Sequence, residues 1–390
     1  MRYLFFDDEH RGNLLPLSYT RPLAEFRVGI LTIQQKWQKR MPKDAFFAGY
    51  LTVPYLQDKY PSQSDDDQFW INSSVCPTKD LIAEILALEM HESLYGDNDL
   101  LIAFRSRYFK ESINCKALIS SLHFTHIKSL SDLFRKNGHE LVLDFELLSK
   151  GRISQELHSN NQTIGDNIFI EEGAEINCAI INSSTGPVYI GSGAKVLEGS
   201  IIRGPFALCD HAQVNIGAKI YGPTTIGPHS KVGGELNNVV IFGYSNKGHD
   251  GFLGNSVIGE WCNIGADSNN SNLKNNYAEV RLWNYPNKRF SSTGLMFCGL
   301  IMGDHSKCGI NTMFNTGTVV GVSANIFGAG FSRNFIPSFS WGGPHGQSTY
   351  KLEKAFDVAH KVMSRRGIEL DNLEKAILTK VFELSQDFRR

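Results

Sequence analysis

Hydrophobic residues recur at every sixth position through the second half of this chain: Ile190, Val196, Ile202, Leu208, Val214, Ile220, Ile226 and Val232. Four positions after most of these beats stands a small residue, namely Ala194, Ser200, Ala212, Ala218, Thr224 and Ser230, with Phe206 and Leu236 as exceptions. The beat returns at Met302, Cys308, Phe314, Val320 and Ile326, and is present earlier at Ile164, Ile170 and Ile176. Neither the 3.6-residue period of a helix nor the alternation of a strand produces such spacing. A six-residue unit makes one short strand and one corner, with the aliphatic residue pointing into a narrow prism. Three such faces close a coil of roughly 18 residues, and coils must stack because none can bury its apolar side alone. The pattern therefore specifies a parallel β-helix.

Composition narrows the partners. The net charge of −1 gives no global field for nucleic acid or anionic lipid, so neither a nucleic-acid nor a membrane partner is expected. The seven cysteines stand at 76, 115, 178, 209, 262, 298 and 308, with no CxxC pair and no zinc spacing. They read as reduced thiols of a cytoplasmic protein. The first residues, Met1 to Asp8, are too short and too acidic for a signal peptide, and no apolar run is long enough to span a bilayer.

Three regions follow. Residues 1–150 alternate strand-like and helix-like segments: strands at Tyr3–Phe6, Phe69–Ile71 and Leu100–Phe104, helices at Ile30–Arg40, Leu81–Glu92 and Ser129–Asn137. This order suggests an α/β layer on a mostly parallel sheet. Residues 151–335 are the β-helix, with the beat broken at Asn177–Pro187, Phe242–Gly254 and Asn270–Leu300, which read as loop insertions. Residues 336–390 form a helical tail, its apolar positions being Phe356, Ala359, Val362 and Met363, then Leu373, Ile377 and Val381.

A parallel β-helix alone does not choose a function. The segment Ser245-Asn246-Lys247-Gly248-His249-Asp250-Gly251-Phe252-Leu253-Gly254, followed by Ile258-Gly259 and Asn263-Ile264-Gly265-Ala266, carries more. It resembles the acetyltransferase half of the bifunctional N-acetylglucosamine-1-phosphate uridyltransferase/glucosamine-1-phosphate acetyltransferase family, with its G-H-L-x-Y-[IL]-G-D loop and its I-G-x-x-x-N-I-G-A-G-T. Met302-Gly303-Asp304 with Gly309, Asn311 and Thr312 resembles a further segment of that family. The resemblance implies a left-handed β-helix, a homotrimer with acyl sites between neighbouring prisms, acetyl-CoA as co-substrate, and an amino-sugar phosphate as acceptor. It puts His249 on the loop histidine, Lys219, Glu235, Asn237 and Asn272 on the sugar phosphate, and Ala266, Ile310 and Gly328 on acetyl-CoA; Lys247, a cation in the same loop, is a further candidate for the sugar phosphate as a point charge. Phe252 and Leu273 replace tyrosines of the family, and Asn237 replaces a lysine. The histidine has chemistry to perform. An amino sugar is mostly ammonium near neutral pH, and an imidazole with a pKa of ~6.5 can take its proton.

Near the start, Leu14-Leu15-Pro16-Leu17-Ser18-Tyr19-Thr20-Arg21-Pro22-Leu23 looks like the P-L-T-x-x-x-P-K-P-L segment of sugar-phosphate nucleotidyltransferases. Residues 20–32, with Phe145-Glu146-Leu147, Gly151-Arg152, Gly199–Phe206 and Ser271–Tyr277, resemble a divergent branch of the uridyltransferase family found in Bacteroides-type bacteria. That resemblance implies nucleotide binding through Asp8, Arg11, Arg21 and Arg27. The overall reading is acetyl transfer to an amino-sugar 1-phosphate, then uridylyl transfer with Mg2+, yielding a UDP-N-acetyl amino sugar for the cell envelope. Two departures stand against the second step. Asp7-Asp8-Glu9-His10-Arg11-Gly12-Asn13 replaces the glycine-rich phosphate loop, and Ser74 stands where the family carries a magnesium-binding aspartate. Asp7, Asp8 and Asp144 are alternative metal ligands, so the metal ligands stay open. The rival readings are an acetyltransferase whose first domain only binds sugar nucleotide, and a scaffold that binds sugar nucleotide without chemistry. A zinc reading rests on His211 and His229, 18 residues apart and hence stacked, but the third histidine it needs is Gly234.

Overall fold

The computed structural model describes residues 1–63 and 65–389. The chain divides into two compact units. One contains Met1–Gly12, Thr20–Phe26 and Leu31–Lys128; the other contains Asn13–Tyr19, Arg27–Ile30 and everything from Ser129 onward. The expected division at residue 150 is thus displaced, because helices α3 (Leu130–Arg135) and α4 (Asn137–Ser149) group with the solenoid.

The first unit is a six-stranded sheet. Its strands are β1 (Arg2–Phe6), β2 (Phe46–Leu51), β3 (Gln68–Asn72), β4 (Glu92–Tyr95), β5 (Leu101–Ser106) and β6 (Lys116–Ile119), in the order β2-β1-β3-β5-β4-β6. β1 runs parallel to β2 and β3, but β5 is antiparallel to both its neighbours, so the sheet is mixed. Helices α1 (Ile33–Arg40) and α2 (Lys79–Leu86) are shorter than their apolar patterns suggested. Thr32 accepts from Gln35 N at 3.2 Å and starts α1, so Ile30 and Leu31 lie outside it. One face of the sheet buries Leu4, Phe6, Trp70 and Phe104.

The second unit is the parallel β-helix. A single apolar cluster runs from Ile170 to Ile336 and contains every beat from Ile190 to Val232. Each such aliphatic side chain contributes about 1.5–3 kcal/mol by burial, which outweighs the weak intrinsic preference of two- and three-residue strands. Register confirms the 18-residue coil: Val196 pairs with Val214 and Val214 with Val232.

The break at Phe242–Gly254 is not a loop insertion. Leu236 lies beside Ile220 on the next coil, so the corner after Val232 has lost two residues and Leu236 itself becomes the inward side chain. Two nine-residue strands, Glu235–Gly243 and Phe252–Glu260, then turn a corner without a gap, with Asn238 and Asn255 at positive φ. The break after Asn270 is an insertion, and it carries an antiparallel hairpin, Arg281–Asn284 with Arg289–Ser292.

One corner is a ladder. His211, His229, Tyr244, Trp261 and His305 all have φ between 53° and 61°, and their ring centroids follow one another at 5.0, 4.9, 4.3 and 6.4 Å. The two histidines of the zinc reading present stacked faces to each other rather than converging nitrogens. The tail forms helices α5 (Leu352–Ser364) and α6 (Asn372–Leu384). Phe382 of α6 packs edge-on against Phe339, 5.1 Å away, at the end of the solenoid. No helix among the described residues is long and apolar enough to cross a membrane.

Candidate functional sites

The corner between Lys247 and Phe252 has two residues more than the Val232–Glu235 corner of the previous coil. Its backbone is held at every carbonyl. Gly248 O accepts from Asn215 Nδ2 at 2.7 Å, and Lys247 Nζ donates to His249 O and to Asp250 O. Asp250 O also takes Asp267 N at 3.0 Å, and Gly251 O takes Glu235 N at 3.2 Å. Gly251 is at φ 114°, and a Cβ there would run into Ser268 O, so only glycine closes this turn. His249 is exposed on this fixed backbone.

Register places His249 in a column. Asn246 pairs with Asn263, Asn263 with Lys307, and Lys307 with Asn325. Three residues on from each stand His249, Ala266, Ile310 and Gly328, which therefore occupy one edge of successive coils, about 4.8 Å apart. Glycines allow the coils to close there; a Cβ on Gly265 would collide with the backbone of Gly309. The edge is open surface, with Ile310 71% exposed.

On the adjoining face, Lys219, Glu235 and Phe252 lie side by side on consecutive coils, and Tyr221, Asn237 and Gly254 form the next row. Tyr221 Oη donates to Glu235 Oε1, and that bond, with burial, pushes the Tyr221 phenol up to about 12. Asn272 Nδ2 donates to Asn255 Oδ1 at 2.7 Å, and a Cβ on Gly254 would lie 2.8 Å from Asn272 Nδ2. Lys219, Glu235, Asn237 and Asn272 are thus gathered beside the His249 corner.

Lys247 is not part of that surface. It stands six residues after Ile241 and six before Leu253, pairs with Val232, and points into the prism, 2% exposed. Its ammonium donates to Gly233 O, His249 O and Asp250 O. Burial pushes it down to about 8, with Asp250 acting in the opposite sense. Its function is to hold the histidine-bearing turn; the phosphate contact expected from the sequence is closed to a side chain so enclosed.

In the sheet unit, Asp7 and Asp8 follow β1. Asp7 accepts from Arg11 Nη1 at 2.6 Å, from Leu23 N at 2.9 Å and from Ser73 Oγ at 2.7 Å. Arg11 Nη1 also donates to Arg21 O at 3.1 Å, and Arg21 is itself buried. Asp8 Oδ2 accepts from Ser74 Oγ at 2.8 Å and Asn72 Nδ2 at 3.1 Å, and lies 3.6 Å from His126 Nε2. Burial works to raise the Asp8 carboxyl, but the bonds from His126, Ser74 and Asn72 and the nearby His10 together hold it below the usual range.

Arg27 serves a different unit. It belongs to the solenoid unit, where it is 7% exposed. Its Nε donates to Phe242 O at 3.0 Å and its Nη1 to Ile30 O. Gly29 beside it is pinned by Asn137 Oδ1 on its N–H and by Thr225 Oγ1 on its carbonyl. The nucleotide role expected for Arg27 gives way to a structural one. Asp144, an alternative metal ligand, accepts from Ile30 N at 2.9 Å in the same cluster.

Residues 3–153 match the family model of sugar nucleotidyl transferases. The chain is 34% identical over 87 residues to the bifunctional protein GlmU of Methanocaldococcus jannaschii, covering 22% of this chain and 21% of that one. It is 32% identical over 144 residues to a bifunctional sugar-1-phosphate nucleotidylyltransferase/acetyltransferase of Sulfurisphaera tokodaii, covering 36% and 35%. The chain thus spans about a third or less of the length of these relatives. Among solved structures, the UDP-N-acetylglucosamine acyltransferase of Francisella novicida matches over 60% of this chain and 76% of its own, at 12% identity and TM-score 0.32. The resemblance to sugar nucleotidyltransferases and to bifunctional nucleotidylyltransferase/acetyltransferases therefore stands on whole-segment matches as well as on motifs.

The magnesium implied by that kinship does not suit the donors present. Mg2+ takes oxygen ligands in a strict octahedron. Here Ser74 replaces a carboxylate, Asp7 is engaged by Arg11, and the remaining carboxylate, Asp8, is flanked by two imidazoles.

Proposed function

We propose that the solenoid transfers an acetyl group from acetyl-CoA to the amino group of a sugar phosphate, with His249 as general base. The observation that carries this reading is the shared column of His249, Ala266, Ile310 and Gly328 beside the polar rows of Lys219, Glu235, Asn237 and Asn272. The exposed imidazole takes a proton from the acceptor ammonium. The freed amine attacks the thioester carbonyl, the C–S bond breaks, and coenzyme A leaves as thiolate and is then protonated. Lys219 serves the sugar phosphate as a point charge. Because the column is an open edge, a second wall is needed to exclude water, and a neighbouring chain in a homotrimer supplies it.

The sheet unit binds the sugar nucleotide. Uridylyl transfer is a second reading, favoured by the family match over residues 3–153. Titration of the full chain with acetyl-CoA tests the first reading, followed by coenzyme A release in the presence of glucosamine 1-phosphate. Absence of acetyl-CoA binding would remove the acyl-transfer reading and leave the sheet unit's role to the second test. Exchange of labelled pyrophosphate into UTP, with sugar 1-phosphate and divalent metal present, tests the second; no exchange leaves the sheet unit a binding role.

A further inference from the structure

Among the described residues, one trio of metal-ligating side chains converges: Asp8, His10 and His126, whose ligand atoms all lie within 4.8 Å of one another. We propose that this trio is a site for a divalent first-row transition ion, zinc being the type, in place of the magnesium that a nucleotidyltransferase-like domain would be expected to hold. The inference is independent of the acyl-transfer reading, since it concerns the sheet unit alone.

Three segments bring the donors together. Asp8 follows β1, and His10 lies in the short helical turn Glu9–Leu14. His126 is placed by backbone pairing: Cys76 N donates to Thr125 O at 2.8 Å and Ile127 N donates to Ser74 O at 2.8 Å, which lays residues 125–127 along the chain just beyond β3. The imidazoles of His10 and His126 stand 5.2 Å apart, centroid to centroid, and His126 Nε2 lies 3.6 Å from Asp8 Oδ2. Ligand atoms around a tetrahedral zinc are about 3.4 Å apart, from bonds of about 2.0–2.1 Å. The Asp8–His126 pair is close to that spacing at 3.6 Å, and the His10 ligand atom lies within 4.8 Å of both. All three side chains are half-buried, so an ion there keeps an open face.

The surroundings fit a metal ligand better than a simple ion pair. Asp8 is oriented on both oxygens: Oδ1 accepts from His10 N at 2.9 Å, and Oδ2 from Ser74 Oγ and Asn72 Nδ2. Such outer hydrogen bonds fix a ligating carboxylate. Two imidazoles and one carboxylate suit zinc, iron or cobalt and disfavour magnesium. Three protein donors leave at least one coordination position for a ligand oxygen, such as that of a phosphate.

The test uses the full chain, stripped with chelator and titrated calorimetrically with Zn2+ and separately with Mg2+. The expected result is one Zn2+ per chain, unaffected by millimolar Mg2+, with affinity reduced at least about tenfold to a hundredfold in His10→Ala and in His126→Gln. Co2+ substitution adds a visible band that both variants lose. Because His126 is bridged to Val75 through the backbone, thermal melts accompany each variant, and His10→Ala, on a surface turn, keeps the test valid if His126→Gln unfolds. Zn2+ binding undiminished in a folded His10→Ala, no Zn2+ binding by the wild type, or equal competition by Mg2+ would each overturn the site.

Discussion

At the His249 corner, side chains organise a backbone: Asn215 and Lys247 hold the carbonyls of a turn whose one exposed product is an imidazole. At Asp8 the relation is reversed, for strand ends and a paired segment bring side chains together around a single carboxylate. The solenoid can build a site in the first way because each coil repeats the one before it, so a corner of ordinary length that follows a corner two residues short displays a residue without disturbing its neighbours. The sheet has no such redundancy. Its site exists only where residues 8–10, 72–74 and 125–127 coincide.

If the solenoid corner is catalytic, the largest effect in the molecule follows from its imidazole. His249→Ala should lower coenzyme A release about 10²- to 10⁴-fold while leaving the melting temperature within a degree or so of wild type, because the side chain is exposed and only its carbonyl is used by the fold. Turnover unchanged in that variant would reduce the corner to a structural turn.

Lys247→Met separates display from support. It keeps the volume but takes the ammonium from Gly233 O, His249 O and Asp250 O, of which Asp250 O keeps the Asp267 N–H; each carbonyl left buried without a donor costs about 1–3 kcal/mol, partly offset by no longer burying an ammonium. A net loss of about 2 kcal/mol is expected in urea unfolding, with weaker coenzyme A release as the turn loosens. The pH dependence has a definite sign. With the folded value near 8 and the unfolded value near ~10.4, the unfolded chain binds more protons between them. Wild-type stability relative to Lys247→Met should therefore rise as pH climbs from about 8 to about 10.4. A difference between the two proteins that is flat across that window would mean the ammonium is not strained by burial.

The legibility of the two regions follows the same contrast. The β-helix could be read because each inward side chain has its equivalent six residues away; the column from His249 to Gly328 does not follow by counting, since its steps of 17, 44 and 18 residues span the hairpin insertion, and it is set by strand register. Counting failed at Leu236, where a corner lost two residues and a beat moved forward. It also failed to place Lys247, which sits on the beat but reads as an outward residue because it is charged. The signal was its spacing, six from Ile241 and six from Leu253. In the sheet unit no period links Asp8 to His126. Their meeting depends on a strand-like pairing of residues 74–76 with 125–127, which has no local pattern. Arg27 shows the remaining difficulty, since a motif shared with nucleotide-binding proteins suggests a ligand contact where the side chain serves packing against Phe242 and Cys209.

That packing role is open to a smaller test. Gly29 is at φ 78°, and a Cβ there would lie 2.6 Å from Asp144 Oδ2 and 2.7 Å from Glu140 O. Gly29→Ala should cost about 1–2 kcal/mol from the left-handed backbone, with more from the backbone contact. If residues 27–30 served a nucleotide instead of the solenoid, the variant would weaken UTP binding at unchanged stability.

The smallest effect expected lies in the aromatic ladder, and its size decides what the stacked histidines do. His211 faces His229 at 5.0 Å with 23° between the rings, and its backbone is left-handed at φ 55°. Replacing it by alanine removes the ring and also places a residue poorly suited to that backbone. Asparagine tolerates the left-handed region better, so His211→Asn removes the ring alone. A loss of about 0.5 kcal/mol is expected for His211→Asn, from stacking at a partly exposed corner, with a slightly larger loss for His211→Ala. Neither variant should alter Zn2+ binding by the full chain. Equal losses in the two variants would assign the cost to stacking alone. A fall in Zn2+ stoichiometry in His211→Asn would move a metal from the sheet to the solenoid and reverse the division of labour between the two regions.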